Sequence, residues 1–202
     1  MITIALIDYG IGNLRSVYKA LSAVGTDVNL TSDPDRILAA DKVVLPGVGA
    51  FGDGMAGLRA RGLDEIVKTL VARETPLLGI CVGMQVLFEA SHELGYYKGL
   101  GFLPGEVYPF ESETLKIPQT GWNQIIPERD HPLLRGLPPQ SYAYFNHSFY
   151  CAAAPADVLA CTNYGVRYAS VVGRGRLYGA QFHPEKSQHV GLRILRNFVE
   201  TC

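Results

Sequence analysis

Thr75-Pro76-Leu77-Leu78-Gly79-Ile80-Cys81-Val82-Gly83-Met84-Gln85 is an apolar run that leads into Gly-x-Cys-x-Gly and then into a helical pattern. This layout is typical of a nucleophile elbow, in which a strand brings a reactive side chain to the edge of a sheet. A glycine on each side lets the chain turn where a Cβ atom would clash. The helix that follows directs its N-terminal amides at the same point, which helps to keep a thiolate charged. We therefore predict that Cys81 is a nucleophile rather than a core residue.

The rest of the first half alternates apolar runs with helical patterns. It predicts strands at 2–7, 28–31 and 42–45, together with a helix that Asn13 caps and Gly25 ends. Two further amphipathic patterns, one before and one after Gly62, predict two more helices. Strands separated by helices indicate a parallel sheet with right-handed crossovers.

The second half, from about 101 to 181, is richer in Tyr, Phe, Val, Gly and Pro. Short strand-like pieces recur at 106–108, 123–126, 141–145, 158–161, 169–172 and 177–181. They predict antiparallel or mixed sheet added to the parallel core, and an apolar stripe ending at Cys202 predicts a last helix. With neither a repeat nor a linker, residues 1–202 are interpreted as a single α/β domain.

Composition limits the classes of function. The 202 residues are 48% hydrophobic and 18% charged, and the formal net charge is -1, which favours neither nucleic acid nor an anionic membrane as a partner. No apolar run is long enough to span a membrane and no basic lead marks a signal peptide, so we expect a cytoplasmic protein. The spacing of Cys81, Cys151, Cys161 and Cys202 fits neither a disulfide framework nor a zinc site, and we expect no metal or cofactor.

A cysteine nucleophile needs a base, and His183 is the best placed of the five histidines because it also follows a short apolar strand. Glu185 lies two residues further on. Side chains at i and i+2 of an extended segment point the same way, so this carboxylate is predicted to orient the imidazole. For an isolated His-x-Glu, the alternative interpretation is an ion pair at the surface. The other candidate histidines, His92, His131 and His189, are interpreted as surface residues.

Two glycine-rich turns and an aromatic cluster allow more than one interpretation. Pro46-Gly47-Val48-Gly49 follows a strand, and its amides could form an oxyanion hole with that of Val82, although an ordinary strand-to-helix turn is the alternative. Asp8-Tyr9-Gly10-Ile11-Gly12-Asn13 lacks the third glycine of a dinucleotide-binding motif, which indicates only a tight turn. Aromatic residues are more typical of a core than of a binding site, and this applies to Trp122, Tyr142, Tyr144, Phe145, Phe149 and Tyr150.

Two of these motifs together, Gly79-Ile80-Cys81-Val82-Gly83-Met84-Gln85 and Gln181-Phe182-His183-Pro184-Glu185, resemble the class I (triad) glutamine amidotransferases. Further segments resemble one branch, the glutaminase subunits of imidazole glycerol phosphate synthase in histidine biosynthesis. These are 8–13, 46–51, 121–123, 144–149 and 183–187. The anthranilate synthase branch would have Pro-Gly-Pro-Gly in place of Pro46-Gly47-Val48-Gly49. The resemblance covers the whole chain and implies a flavodoxin-like three-layer fold, with helices on both faces of a mostly parallel sheet.

The resemblance also implies the role of each site residue. Cys81 would attack the carboxamide of L-glutamine, with His183 as the base and Glu185 orienting it. Backbone amides near Val48, Gly49 and Val82 would hold the oxyanion. The substrate glutamine would be held by Gly47, Gln85, Glu93, His147 and Ser148.

The resemblance implies a partner as well, because free ammonia in neutral water becomes mostly ammonium, which is not a nucleophile. The partner would be a (β/α)8-barrel cyclase subunit that receives ammonia through an internal channel in a heterodimer. Its expected interface includes Trp122, Asn123, Tyr144 and Lys186. The alternatives are a glutaminase that serves another synthase, a cysteine peptidase or thiol hydrolase on a similar fold, and a non-enzymatic subunit with a degenerate site.

Overall fold

The computed structural model describes residues 2–202. Strands and helices alternate in the first half, in the order β1 (Thr3–Ile7), α1 (Leu14–Ala23), β2 (Asp27–Thr31), α2 (Pro34–Leu38), β3 (Lys42–Leu45), α3 (Phe51–Ala60), α4 (Leu63–Ala72) and β4 (Leu77–Ile80). The predicted strands and helices of this half are confirmed, and α2 is an additional element. Asn13 precedes α1 but makes no side-chain capping bond, because its ψ of 60° is not the extended value that turns the side chain towards the first amides.

The second half contains mostly strands. It comprises α5 (Val82–Gln85), β5 (Phe88–Ser91), β6 (Tyr97–Lys98), β7 (Leu103–Pro109), β8 (Gln119–Gln124), β9 (Ile126–Pro127), β10 (Tyr142–His147), β11 (Phe149–Cys151), β12 (Val158–Tyr164), β13 (Val166–Arg174), β14 (Leu177–Ala180) and α6 (Gln188–Thr201). Every strand-like piece predicted from the sequence overlaps one of these strands. The strands β5, β6 and β11 were not predicted from the sequence.

One eight-stranded sheet, in the order β2-β1-β3-β4-β14-β13-β12-β9, forms the centre of the molecule. Its first five strands pair in parallel and its last three pair antiparallel, which confirms a mixed extension of a parallel core. Two small sheets, β10-β8 and β11-β7-β5-β6, complete the second half. The strands β3, β4 and β14 are parallel neighbours, so the segments that follow them meet at one edge of the sheet.

Two groups of helices cover the main sheet. The chain moves in one direction along the sheet from β1 to β2 and in the opposite direction from β2 to β3 and from β3 to β4. Because such crossovers are right-handed, α1 lies on one face and α2, α3 and α4 lie on the other. The contacts agree, since α1 packs against α6 while α4 packs against α2 and α3. Within residues 2–202, no helix combines the length and apolarity needed to cross a membrane.

The helix predicted after Cys81 is present as a single turn. The carbonyls of Val86 and Leu87 accept the amides of Leu100 and Phe102, at 2.8 and 2.9 Å, instead of the next turn of a helix. The chain therefore leaves α5 as an extended strand. With only four residues, α5 places few amides near the thiol, and its dipole is correspondingly small.

Candidate active site

Cys81 occupies a sharp turn between β4 and α5. Its φ of +54° and ψ of -113° are unusual for a residue with a side chain, and its amide donates to the carbonyl of Ala180 at 2.8 Å. The two flanking glycines are required by close backbone contacts: a Cβ at Gly79 would lie 2.4 Å from the carbonyl oxygen of Gly83, and one at Gly83 would lie 1.9 Å from that of Leu45. The geometry is that of a nucleophile elbow.

His183 and Glu185 form a buried pair beyond the end of β14. The distance from His183 Nδ1 to Glu185 Oε1 is 3.0 Å, and the two side chains are only 4% and 1% exposed. The amide of His183 donates to the carbonyl of Tyr144 at 2.9 Å, which ties this turn to β10. Burial lowers the pKa of His183, but hydrogen bonds with Cys81 and Glu185 raise it to about 10 overall. The imidazole is therefore arranged to carry a proton beside the sulfur.

A cavity of about 90 Å³ brings most of the candidate residues together. It is lined by Val48, Gly49, Cys81, Val82, Gln85, Glu93, Asn146, His147, Ser148, Phe149 and His183. Asn146 and Phe149 are additional to the residues predicted from the sequence. Gly47 does not line the cavity, because it packs beneath the wall with its Cβ position 2.8 Å from the Cβ of Val82. Its place is consistent with support of the loop rather than contact with a ligand.

The loop after β3 places Val48 and Gly49 at the mouth of this cavity. Val48 is 38% exposed, and Gly49 has a φ of +94° with open space where a side chain would project. Among the hydrogen bonds of residues 2–202, none uses the amide of Val48 or Gly49 as a donor. Neither amide is therefore committed to a hydrogen bond within the chain, which leaves both free to serve an oxyanion hole once they face the cavity.

Two buried glutamines connect the nucleophile with the opposite wall. Gln181 Nε2 donates to Cys81 Sγ at 3.7 Å, and Gln181 Oε1 accepts from Gln85 Nε2 at 3.1 Å. Gln85 Nε2 also lies 3.3 Å from the carbonyl oxygen of Phe149. Sequence reasoning identified Gln85 but not Gln181. The signal was available, because Gln181 follows a strand and lies two residues before His183, just as Glu185 lies two residues after it.

His147 is a buried residue of the cavity wall. Its Nδ1 donates to the carbonyl of Phe149 at 2.7 Å, and its Nε2 lies 3.2 Å from the hydroxyl of Tyr168. Burial is the main cause of a pKa lowered to about 4. The neutral ring therefore fixes the strand turn at Ser148. His92 and His189 are exposed, as expected. His131 was also expected at the surface, but it is half-buried, and its Nδ1 accepts the amide of Leu133.

Glu93 closes the side of the cavity next to α3. Its Oε2 accepts the amide of Phe51 at 2.7 Å, so it fixes the far end of the loop that contains Val48. Burial raises the pKa of this carboxyl, and the hydrogen bond from Phe51 offsets part of that effect.

The residues expected at a partner interface form one surface beside the site. Trp122 and Tyr144 face each other across β8 and β10, with ring centroids 6.3 Å apart, and Lys186 Nζ lies 5.5 Å from the centroid of Tyr144. Asn123 donates to the carbonyl of Asn163 and is therefore used within the chain. The interpretation of the aromatic cluster as core is wrong for Trp122 and Tyr142, which are each 49% exposed, but Phe145 is buried.

Comparison with known proteins gives the family. The family model described as glutamine amidotransferase class-I matches residues 5–202. The chain belongs to the class-I glutamine amidotransferases. It is 53% identical over 198 residues to imidazole glycerol phosphate synthase subunit HisH of Dehalococcoides mccartyi strain CBDB1, covering 98% of this chain and 96% of the relative. It is 50% identical to the subunit of the same name from Symbiobacterium thermophilum, covering 98% and 93%.

Solved structures share the fold of this class-I glutamine amidotransferase. A glutamine amidotransferase crystal structure matches with a TM-score of 0.76 at 20% identity, covering 97% of both chains. The PurLQS structure from Thermotoga maritima matches with a TM-score of 0.76 at 18% identity, covering 98% of this chain and 97% of that one. These likenesses confirm the three-layer α/β architecture.

Proposed function

We propose that the chain is a glutaminase that hydrolyses L-glutamine to glutamate and ammonia through a Cys81–His183–Glu185 triad. The observation that supports it most strongly is the thiol of Cys81 at a strained turn, facing a cavity that His183 also lines, with the imidazole held by a buried carboxylate. The membership of the family and the HisH relatives at about 50% identity support the same activity.

In the first half of the reaction, the sulfur of Cys81 attacks the carboxamide carbon of glutamine. The carbonyl π electrons move to oxygen, and the resulting oxyanion is held by amides among Val48, Gly49 and Val82. The bond between carbon and nitrogen then breaks as His183 gives its proton to the departing nitrogen, so ammonia leaves and a γ-glutamyl thioester remains. Glu185 holds the imidazole in place while its charge changes.

In the second half, water replaces ammonia. His183, now neutral, takes a proton from the water as its oxygen attacks the thioester carbon. The carbon–sulfur bond breaks, glutamate leaves, and the thiolate beside protonated His183 is restored. The same oxyanion hole serves both tetrahedral intermediates.

The substrate glutamine is proposed to lie between Gln85, Glu93 and the backbone around His147 and Ser148. Each of these residues lines the cavity, and they approach it from three different elements of the fold. Glu93 is suited to a cationic α-amino group because it is half-buried and its charge has one backbone partner.

The ammonia is proposed to pass to a cyclase subunit, a (β/α)8-barrel that makes imidazole glycerol phosphate and aminoimidazole carboxamide ribotide in histidine biosynthesis. The heterodimer would form in the cytoplasm over exposed Trp122 and Lys186 and half-buried Tyr144, with Asn123 at the border of this surface. Half-exposed aromatic rings next to a cation are typical of the centre of an interface. The names of the relatives at about 50% identity support this partner.

Glutamate release by the pure chain, alone and with the cyclase subunit and its ribotide substrate, tests this function. We expect strong activation by the loaded cyclase, because Gly49 can turn the loop so that an amide faces the cavity. Glutamate release at the same rate with and without the loaded cyclase would support the Cys81 chemistry but would indicate that the chain serves another synthase. The absence of release in both conditions would favour a degenerate site, and peptide hydrolysis alone would favour a peptidase.

A further inference from the structure

The turn 8–13 has no role in the chemistry described above, yet one of its side chains lies directly beneath the active-site loop. Tyr9 is 1% exposed and follows β1, the neighbour of β3 in the main sheet. We propose that Tyr9 is a positioning residue that fixes the near end of the loop 46–51, so that reorientation is confined to the amides of Val48 and Gly49. The inference rests on the proposed glutaminase function.

The first step in the argument is a hydrogen bond. The hydroxyl of Tyr9 donates to the carbonyl oxygen of Pro46 at 2.5 Å, in a buried position. A peptide unit is planar and, where it is trans, its carbonyl and N–H groups point in opposite directions. Holding the carbonyl of Pro46 therefore fixes the direction of the Gly47 amide as well, and the first peptide of the loop cannot turn without breaking this bond.

The second step is packing on both sides of the tyrosine. A Cβ at Gly47 would lie 2.8 Å from the Tyr9 hydroxyl oxygen, so the loop contacts this hydroxyl closely. A Cβ at Gly57, in α3, would lie 2.7 Å from the Tyr9 carbonyl oxygen and 3.3 Å from its ring. Tyr9 thus contacts the start of the loop and the helix that follows it, and those glycines permit both contacts.

The third step is the contrast along the loop. Its far end is fixed by the hydrogen bond from the Phe51 amide to Glu93. Between the two fixed ends, Val48 is exposed and Gly49 has open space around its Cβ position. A short segment with two fixed ends and a glycine at φ +94° confines conformational change to the peptides that face the cavity.

The hydroxyl of Tyr9 is also a persistent donor. Burial, together with the nearby charge of Cys81, raises the pKa of Tyr9 well above its ordinary value, so the phenol keeps its proton throughout the physiological range. The hydroxyl can therefore donate to Pro46 throughout the physiological pH range.

The test compares Tyr9→Phe with Tyr164→Phe in the complex with the cyclase subunit and its ribotide. The control is matched in chemistry, because the Tyr164 hydroxyl also donates to a distant backbone carbonyl, that of Lys116, at 2.6 Å. For Tyr9→Phe we expect kcat for glutamine hydrolysis to fall about five- to tenfold with KM nearly unchanged, as one lost hydrogen bond lets the loop leave its productive arrangement. Tyr164→Phe should keep the wild-type kcat.

A second readout separates the loop from the thiol. Iodoacetamide alkylates Cys81 by displacing iodide, with no carbonyl oxyanion, so its rate reports the thiolate and not the oxyanion hole. Peptide mass spectrometry resolves Cys81 from the other cysteines. Activity is expressed per reactive Cys81, which means the Cys81 alkylated at the rate of the folded protein; Cys81 of unfolded chains is alkylated at the rate of an ordinary exposed thiol and is not counted. We expect the alkylation rate of Tyr9→Phe to equal that of the wild type.

Three results would overturn the inference. These are an unchanged kcat per reactive Cys81, an equal loss in Tyr164→Phe, or a parallel fall in the alkylation rate, which would mean that Tyr9 acts on the thiol. Failure of the proposed function is distinguishable, because the wild-type complex would then release no glutamate.

Discussion

The backbone strain at Cys81 predicts an unusual order of stability among variants at this position. At most buried positions, Ala→Gly removes a methyl group and increases the entropy of the unfolded chain. These effects together cost about 1.5 kcal/mol. At Cys81 the φ of +54° and ψ of -113° add an opposing effect, since a side chain there costs about 1–3 kcal/mol that glycine avoids. The two effects are similar in size, so Cys81→Gly should be about as stable as Cys81→Ala, or more stable.

Cys151 provides the matched control for this prediction. It is also a buried cysteine, it belongs to β11, and its φ is not positive. Cys151→Gly should be less stable than Cys151→Ala by about 1.5 kcal/mol. The difference between the two Ala→Gly comparisons isolates the strain at the elbow, for which we expect about 1–3 kcal/mol.

Urea unfolding of the four variants, followed by circular dichroism, measures these differences. Both variants at Cys81 lack the nucleophile, so stability is compared without reference to activity. If glycine, compared with alanine, destabilises both positions equally, then the backbone at Cys81 stores no strain. Close backbone contacts would then be the only explanation of the two flanking glycines.

Two further predictions concern the histidines. Glu185→Gln should lower kcat at least about 100-fold, because it removes the buried charge that supports protonated His183; the exposed Glu200→Gln is the control, and equal activity of the two variants would contradict the triad. The pKa of His147 is lowered to about 4 from an ordinary 6.5, so the unfolded chain binds the extra proton first as the pH falls. The free energy of unfolding that neutral His147 contributes above pH 6.5 should therefore decrease by up to about 3 kcal/mol as the pH falls towards 4. His147→Gln should remove that slope in urea unfolding, whereas an unchanged slope would assign it to other groups.

The elbow and the His-x-Glu pair were predictable because their signals are local. Glycines on both sides of Cys81 are required by backbone contacts within a few residues of it and with the neighbouring strand β3. The spacing of His183 and Glu185 is likewise a property of one short segment. In such cases the sequence pattern and the tertiary geometry have the same physical cause.

The chain after α5 was not predictable in the same way. No strand was predicted between Cys81 and residue 101, yet the carbonyls of Val86 and Leu87 accept the amides of Leu100 and Phe102 and the chain continues into β5. A Cβ at Gly99 would lie 2.1 Å from the carbonyl oxygen of Phe88, so this pairing depends on a glycine fourteen positions beyond the end of α5 at Gln85. Long-range pairing of this kind overrides local propensity.

The contacts of Gln181 and Tyr9 were missed for a related reason. Each is an ordinary residue in an apolar strand or a tight turn, and its importance comes from a partner on another element. Gln181 reaches Cys81 across β14 and β4, and Tyr9 reaches Pro46 across β1 and β3. Only the strand order brings these residues together.

The most direct test of the central claim is the effect of Cys81→Ala on two reactions of the complex with the cyclase subunit. One assay measures glutamate release from glutamine, and the other measures synthesis from the ribotide supplied with ammonium at a pH that provides free ammonia. We predict that the variant releases no glutamate above background but retains synthesis from ammonia at the wild-type rate. Glutamate release by Cys81→Ala at the wild-type rate would contradict the assignment of Cys81 as the nucleophile.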